Sequence, residues 1–308
     1  MRITVANAFD RSVANLQQRQ RQLTEAQEQL TSGKRVQRAS DDPAAAARAE
    51  RALAQQARAE AQQRALDASR NAMQLTESAL GEAGELLQQV RERLVAAGNG
   101  SYSDAERRTL AEAIRGLRDD LLAIANRSDG AGRYLFGGQG ADAPPLADTP
   151  TGVVYTAARG NLQAAAGEPT PLSVDGEQAW LLAPNPADPA NPLSVFTVLD
   201  QAVGELMTPN RTPADIAQTV ATGLGRVETV SENVQRWRAR AGESLNRIES
   251  LGERLAQGKL DAQRDRSEAE DLDMVQAISD FQNRQSGYDA ALKTYSIVQR
   301  MSLFEYLR

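Results

Sequence analysis

The sequence predicts a mainly α protein with a small β insert: an elongated rod of long coiled-coil-like helices, its N- and C-terminal helices paired and its β domain in the middle of the chain. Three observations predict it. Phe9, Val13, Leu16, Gln20, Leu23, Gln27 and Leu30 alternate steps of four and three, and so do Met274, Ile278, Phe281, Gln285, Tyr288, Leu292, Tyr295, Gln299 and Ser302 at the other end. That spacing keeps one narrow stripe on one side of a helix, which a lone helix cannot bury. Between the ends, a longer stripe runs from Ile216 through Val220, Gly223, Val227, Val230, Val234, Trp237, Ala241, Ser244, Ile248 and Leu251 to Leu255. Finally, helical periodicity disappears from about Gly137 to Pro192, where Pro and Gly accumulate.

Each terminal stripe needs a partner, either the opposite terminus or the termini of neighbouring molecules. Ser40-Asp41-Asp42-Pro43 supplies capping side chains and a Pro at the first helical position, so an Ala-rich helix runs from there to about Ala97, ending at Gly98-Asn99-Gly100. Ser103-Asp104-Ala105-Glu106 is a capping box that opens a helix to about Asn126. Thr212-Pro213-Ala214-Asp215 opens the long helix of the third observation, expected to reach about Leu260. At a rise of about 1.5 Å per residue it would be roughly 70 Å long. In the insert, Val153-Val154-Tyr155-Thr156 and Leu172-Ser173-Val174 read as short strands, and Gly160-Asn161 and Asp175-Gly176 as turns. Gly137-Gly138-Gln139-Gly140 reads as a hinge into it. The expected domains are nested: 1–40 with 270–308 as a terminal coiled-coil assembly domain, 41–136 with 194–269 as a helical rod, and 137–193 as a small β-rich outer domain.

Composition narrows the chemistry. The chain has 308 residues and a formal charge of −6, with no Cys and no His. Thiol and imidazole nucleophiles, bases and metal ligands are therefore absent, and zinc sites built on them are excluded. No cofactor is expected. The acidic balance does not suggest a nucleic-acid partner, and no apolar run of about eighteen residues suggests a membrane span. Met1-Arg2-Ile3-Thr4-Val5 reaches Asn7 and Asp10 without an apolar h-region, so no cleavable secretory signal is expected. Asp41-Asp42 is explained by helix capping ahead of Pro43 rather than by carboxylate catalysis, and Gly33-Lys34 lacks the upstream glycine of a phosphate loop. Tyr134 and Phe136 read as core at a domain junction more readily than as an exposed patch. Gln20, Gln27, Gln285 and Gln299 on the seams are either tolerated polar positions or register keys. As keys they would leave an amide unsatisfied in each misaligned pairing, at about 1–3 kcal/mol.

Leu30-Thr31-Ser32-Gly33-Lys34-Arg35-Val36, followed by Ala39-Ser40-Asp41-Asp42-Pro43-Ala44-Ala45-Ala46-Ala47-Arg48, resembles the N-terminal signature of the flagellin superfamily. Met1-Arg2-Ile3-Thr4 and Pro43 resemble the hook-associated proteins of that superfamily more than its filament flagellins. Asn126 to Gly138, containing Tyr134-Leu135-Phe136, and the ending Ser302-Leu303-Phe304-Glu305-Tyr306-Leu307 are similar to the same branch. The resemblance implies a non-enzymatic structural subunit at the junction between hook and filament, exported through the flagellar type III channel and located outside the cell. The implied partners are further copies of itself in a ring-like layer, hook-associated protein 1, flagellin and a flagellar export chaperone. The assembly interface would comprise Phe9, Val13, Leu16, Gln20, Leu23, Gln27, Leu30, Ile278, Phe281, Gln285, Tyr288, Leu292, Tyr295 and Gln299. The chaperone would cover Tyr288, Leu292, Tyr295, Val298, Met301, Leu303, Phe304, Tyr306 and Leu307. A filament flagellin is the nearest alternative. A cytoplasmic coiled-coil regulatory protein is the alternative from another class, but it gives no reason for paired terminal stripes around a β insert.

Overall fold

The computed structural model describes the backbone of residues 2–164 and 167–306, and the side chains of residues 10–164 and 167–297. In chain order these form α1 (Arg2–Ser32), α2 (Pro43–Ala97), α3 (Asp104–Ala125), β1 (Leu146–Thr149), β2 (Gly152–Tyr155), a π-helical turn (Glu177–Leu181), α4 (Val195–Met207), α5 (Pro213–Glu270) and α6 (Met274–Tyr306). Two compact units result: Glu60–Leu255, and Met1–Ala59 with Ala256–Arg308, so that α2 and α5 each contribute to both.

The helix starts follow from local chemistry. Ser103 accepts from Glu106 N while the Glu106 carboxylate accepts from Ser103 N, a complete capping box that opens α3. Thr212 and Asp215 exchange the same pair of bonds ahead of α5. Asp42 Oδ1 accepts from Ala44 N and Ala45 N to open α2. The long stripe on α5 is inward-facing in the 60–255 unit: Val227, Val230, Val234, Ile248 and Leu251 are buried there. Trp237 is half-buried, its indole N–H donating to Gln178 O at 3.2 Å. α5 ends at Glu270 rather than near Leu260; with Leu255 the large apolar stripe stops, but Ala262 and Ala269 continue the buried line. A stripe made of alanines is invisible to a search for large side chains, yet it still hides apolar surface.

The core of the 60–255 unit centres on three aromatics from three segments. Phe136 meets Trp180 edge-on with centroids 5.2 Å apart, and Trp180 stacks on Phe196 of α4 at 6.2 Å. All three are fully buried, so Phe136 is core while Tyr134 is half-buried. Arg118 of α3 lies 5.7 Å from the Phe196 centroid and binds Asp148 of β1 and Asp200 of α4, tying helix, hairpin and helix together.

The insert departs from expectation. Gly152–Tyr155 is a strand, but its partner is β1, antiparallel with Leu146 opposite Tyr155 and Thr149 opposite Gly152. Leu172–Val174 is not a strand. Its backbone is divided between two segments, Leu172 N donating to Leu162 O and Val174 N to Leu135 O, so no single ladder can form. Gly137-Gly138-Gln139-Gly140 is not a hinge either. Gly138 N donates to Val174 O, Gly138 O accepts from Leu162 N and Ser173 Oγ, and Gln139 N donates to Ala158 O. At Gly138 (φ +59°) a Cβ would lie 1.9 Å from Ala158 O, so the glycine is required by close backbone approach.

Trp180→Ala should destabilise the 60–255 unit by about 3–5 kcal/mol, since it removes the middle ring of the stack; thermal or urea unfolding followed by circular dichroism measures it. The Glu82 carboxyl is held below its usual range chiefly by hydrogen bonds from Arg127. The fold therefore binds its charged form. That contribution is complete above the ordinary glutamate value of about 4.3 and is lost as acid protonates the carboxylate below it. Glu82→Gln should accordingly lower stability at neutral pH and flatten the acid side of the stability–pH curve.

Candidate assembly surface

The 1–59/256–308 unit is organised by the junctions that join its helices. α1 stops at Ser32 because Gly33 turns into the left-handed region (φ +70°) while its N–H still donates to Gln29 O at 2.9 Å. The following residues meet the end of α5. Arg35 N donates to Glu270 O at 2.7 Å, Leu272 N to Gly33 O at 3.0 Å, and Lys34 pairs with Asp271 as an antiparallel bridge. Side chains reinforce the contact. Glu270 receives both Lys34 (3.2 Å) and Arg266 (2.7 Å), and Arg35 donates to Ala269 O (2.8 Å) and to the cap Asp42 (3.2 Å). The sequence gives Lys34 and Arg35 no structural partner, and in the structure they hold this clamp. Asp41 is held below its usual range by bonds from Arg38 N and Gln37 N, and Asp42 by Ala45 N and Arg35. Both act as caps. Asp273 opens α6 in the same way, accepting from Val275 N and Gln276 N.

From the clamp, α1 and α6 run antiparallel. Starting from the Lys34–Asp271 bridge, contact partners fall to Gln22 and Arg19 on α1 as they rise to Arg284 and Gly287 on α6. Arg284 Nη1 donates to Gln22 O at 3.0 Å, and Arg19 lies where a Cβ on Gly287 would come 2.6 Å from its Nη1. Between them Leu16, Leu23 and Leu30 on α1, with Phe281, Tyr288 and Tyr295 on α6, are half-buried, and Ala26 is buried. Val13 is half-buried. Ile278 and Leu292 remain 47% and 39% exposed, and Gln20, Gln27 and Gln285 are exposed. The seam of the pair is thus set to one side of the stripes read from the sequence, closed by the small residues Ala26, Gly287 and Ala291. The side chains of Phe9, Gln299, Val298, Met301, Leu303, Phe304 and Tyr306, and all of Leu307, lie outside the described residues. Among the described residues no helix is long and apolar enough to cross a membrane.

A paired-termini architecture with exposed seam residues invites comparison with proteins that polymerise. A family model for the bacterial flagellin N-terminal helical region matches residues 6–141. The flagellar hook-associated protein 3 of Salmonella typhimurium is 30% identical over 318 residues, covering 100% of both chains. That of Escherichia coli is 30% identical over 281 residues, with 88% of this chain and 89% of the relative covered. The chain belongs to the hook-associated protein 3 family. Among solved structures, a flagellar hook-associated protein of Vibrio parahaemolyticus superposes with a TM-score of 0.66 at 18% identity, over 75% of this chain and 100% of that one; it shares the fold. A hook-associated protein 3 is a flagellin-like structural component of the flagellum, and family membership implies an exported flagellar location.

Glu270→Ala should loosen the terminal pair, because Lys34 and Arg266 lose their common partner. The expected loss is about 1–3 kcal/mol of local opening free energy. Hydrogen exchange should quicken at the amides of Arg35 and Leu272 while those of α3 and α4 are unchanged.

Proposed function

We propose that the chain is the non-enzymatic subunit that joins the flagellar hook to the filament, assembling through its paired terminal helices. The carrying observation is the half-finished seam of α1 and α6: Ile278 and Leu292 stay 47% and 39% exposed beside half-buried Leu16, Leu23, Phe281 and Tyr288. An apolar line of this length is closed by neighbouring molecules. In this reading 1–40 and 270–308 form the assembly layer, 41–136 and 194–269 the rod, and 137–193 the outer part. Copies of the chain form a ring-like layer on hook-associated protein 1, and flagellin stacks on that layer. Before export through the type III channel, a chaperone covers the region from Tyr288 to Leu307, where Leu292 already presents an apolar surface. A helix laid in an apolar groove is the fitting mode.

Deleting the gene should leave hooks intact while flagellin escapes into the medium; electron microscopy showing cells without hooks would sink the reading. Leu292→Asp should abolish assembly with little change in the melting of the 60–255 unit, because the charge becomes buried only on assembly, at several kcal/mol. Val234→Asp, which puts the charge into the α5 core, should unfold that unit itself. Removal of everything after Gln282 should abolish capture of the export chaperone in a pull-down.

A further inference from the structure

Three steps of the chain join Asn or Asp to Gly: Asn99-Gly100, Asp129-Gly130 and Asp175-Gly176. At such a step the following peptide nitrogen, unhindered by a side chain, can attack the side-chain carbonyl carbon and close a cyclic imide. Whether it does so depends on the fold, and the fold treats the three differently.

Two of them are locked. The Asp129 carboxylate is 4% exposed and accepts from Ala131 N at 2.8 Å, Arg133 N at 3.1 Å and Arg133 Nε at 2.9 Å. Asp175 is 8% exposed and accepts from Gly160 N on one oxygen and from Glu177 N and Gln178 N on the other. To cyclise, either carboxyl would have to give up these charge-assisted bonds, take a proton, turn onto the next nitrogen and lose water. The third step is open. Asn99 and Gly100 lie in the exposed turn between α2 and α3. Ser101 N and Ser101 Oγ both donate to Asn99 Oδ1, at 3.1 and 2.9 Å. This turn folds the side chain back along the chain towards the Gly100 nitrogen. The two donors also stabilise the negative charge that attack on the carbonyl would place on Oδ1. Among the described residues neither Gly100 N nor Asn99 Nδ2 makes a hydrogen bond, so nucleophile and leaving group are both unrestrained.

We propose that Asn99 is a site of spontaneous deamidation and that its products loosen the turn joining α2 to α3. The Gly100 nitrogen forms a bond to Asn99 Cγ while the bond from Cγ to Nδ2 breaks, and ammonia leaves with the proton of the Gly100 N–H. Water then opens the imide. Addition at Cγ leaves aspartate; addition at the main-chain carbonyl carbon leaves isoaspartate, in which the chain runs through Cβ and Cγ. Either product puts a negative charge just beyond the C-terminus of α2, where unpaired carbonyls disfavour it. Isoaspartate also lengthens the backbone and removes the peptide carbonyl that accepts from Tyr102 N at 3.1 Å, beside the Ser103/Glu106 box that opens α3. An exported subunit is out of reach of cytoplasmic repair, so the product accumulates with the age of the structure. The proposal needs only this turn and is independent of the assembly reading.

The test incubates the full-length protein in neutral buffer, folded or unfolded in urea, and follows its tryptic peptides by mass spectrometry, with enzymatic methyl transfer to isoaspartate as a second readout. In the folded protein the Leu94–Arg107 peptide should progressively acquire the deamidated mass, while the peptides holding Asp129 and Asp175 gain no isoaspartate; in urea all three should react. Gly100→Ala adds a Cβ that meets nothing within 4 Å, so it keeps the turn and should lose most of the conversion. Hydrogen exchange at Tyr102 should quicken in the converted fraction. Asn99 left unmodified in the folded protein overturns the proposal, as does equal conversion in Gly100→Ala. Isoaspartate forming at Asp129 or Asp175 as fast in the folded protein as in urea overturns it too, since the fold would then not discriminate. Unchanged exchange at Tyr102 after conversion overturns the loosening of the turn.

Discussion

Everything in this chain depends on the fact that its terminal helices cannot bury their apolar lines alone. Helix α1 has Leu16, Leu23 and Leu30 on one line, and α6 has Phe281, Tyr288 and Tyr295. Neither is stable in water without a partner surface. Pairing first with last residues forces a nested topology, because everything between must leave and return at the same level. The structure meets that demand at one place. Gly33 to Val36 and Ala269 to Leu272 lie side by side, and main-chain bonds between them close the loop from both directions.

The two units solve burial by different means. In the 60–255 unit, the fully buried Trp180 stack and the α5 valines are supplemented by Arg118, whose guanidinium is raised above its usual value chiefly by its bonds to Asp148. Since Asp148 and Asp200 are still nearly half exposed, the ion pairs add direction more than energy. Tyr155 contributes similarly. Burial pushes its phenol up to about 12, so it stays a neutral donor to Phe136 O at all ordinary pH. The terminal pair has no such core. Its only fully enclosed apolar side chain between α1 and α6 among the described residues is Ala26.

Much of this was legible in the sequence because helices are written locally. Pro43, the Ser103/Glu106 box and the Thr212/Asp215 pair mark helix starts through bonds within four residues, and the α5 stripe marks its own buried face. What could not be read depends on distant partners. Leu172–Val174 has strand-like composition, but its neighbours Leu162 and Leu135 pull its backbone in two directions. The glycines around Gly138 look like a flexible joint, and are instead demanded by the approach of Ala158 O. The terminal stripes fall on α1 and α6, yet the seam between those helices is set towards Ala26, Gly287 and Ala291, because small residues let two helices approach more closely than large ones. A reading weighted towards large side chains cannot see that preference. The clamp residues Lys34, Arg35 and Glu270 offered only one hint, opposite charges flanking two helix breaks.

That rotation has an energetic consequence for assembly. Had the large residues closed the seam within one molecule, the pair would be more stable alone and would offer neighbours little. With the small residues inside, Leu16, Leu23, Phe281 and Tyr288 are only half covered, and Ile278 and Leu292 less so. If neighbouring copies close the seam as proposed, the remaining apolar area is removed from water only when another molecule arrives, at about 25 cal/mol per Å². Association then stabilises the very helices that carry the contact, because a neighbour binds the paired state and not the separated one. In the proposed assembly, folding of the terminal pair and growth of the structure would be one linked equilibrium. A weak intramolecular seam is the condition for a strong intermolecular one.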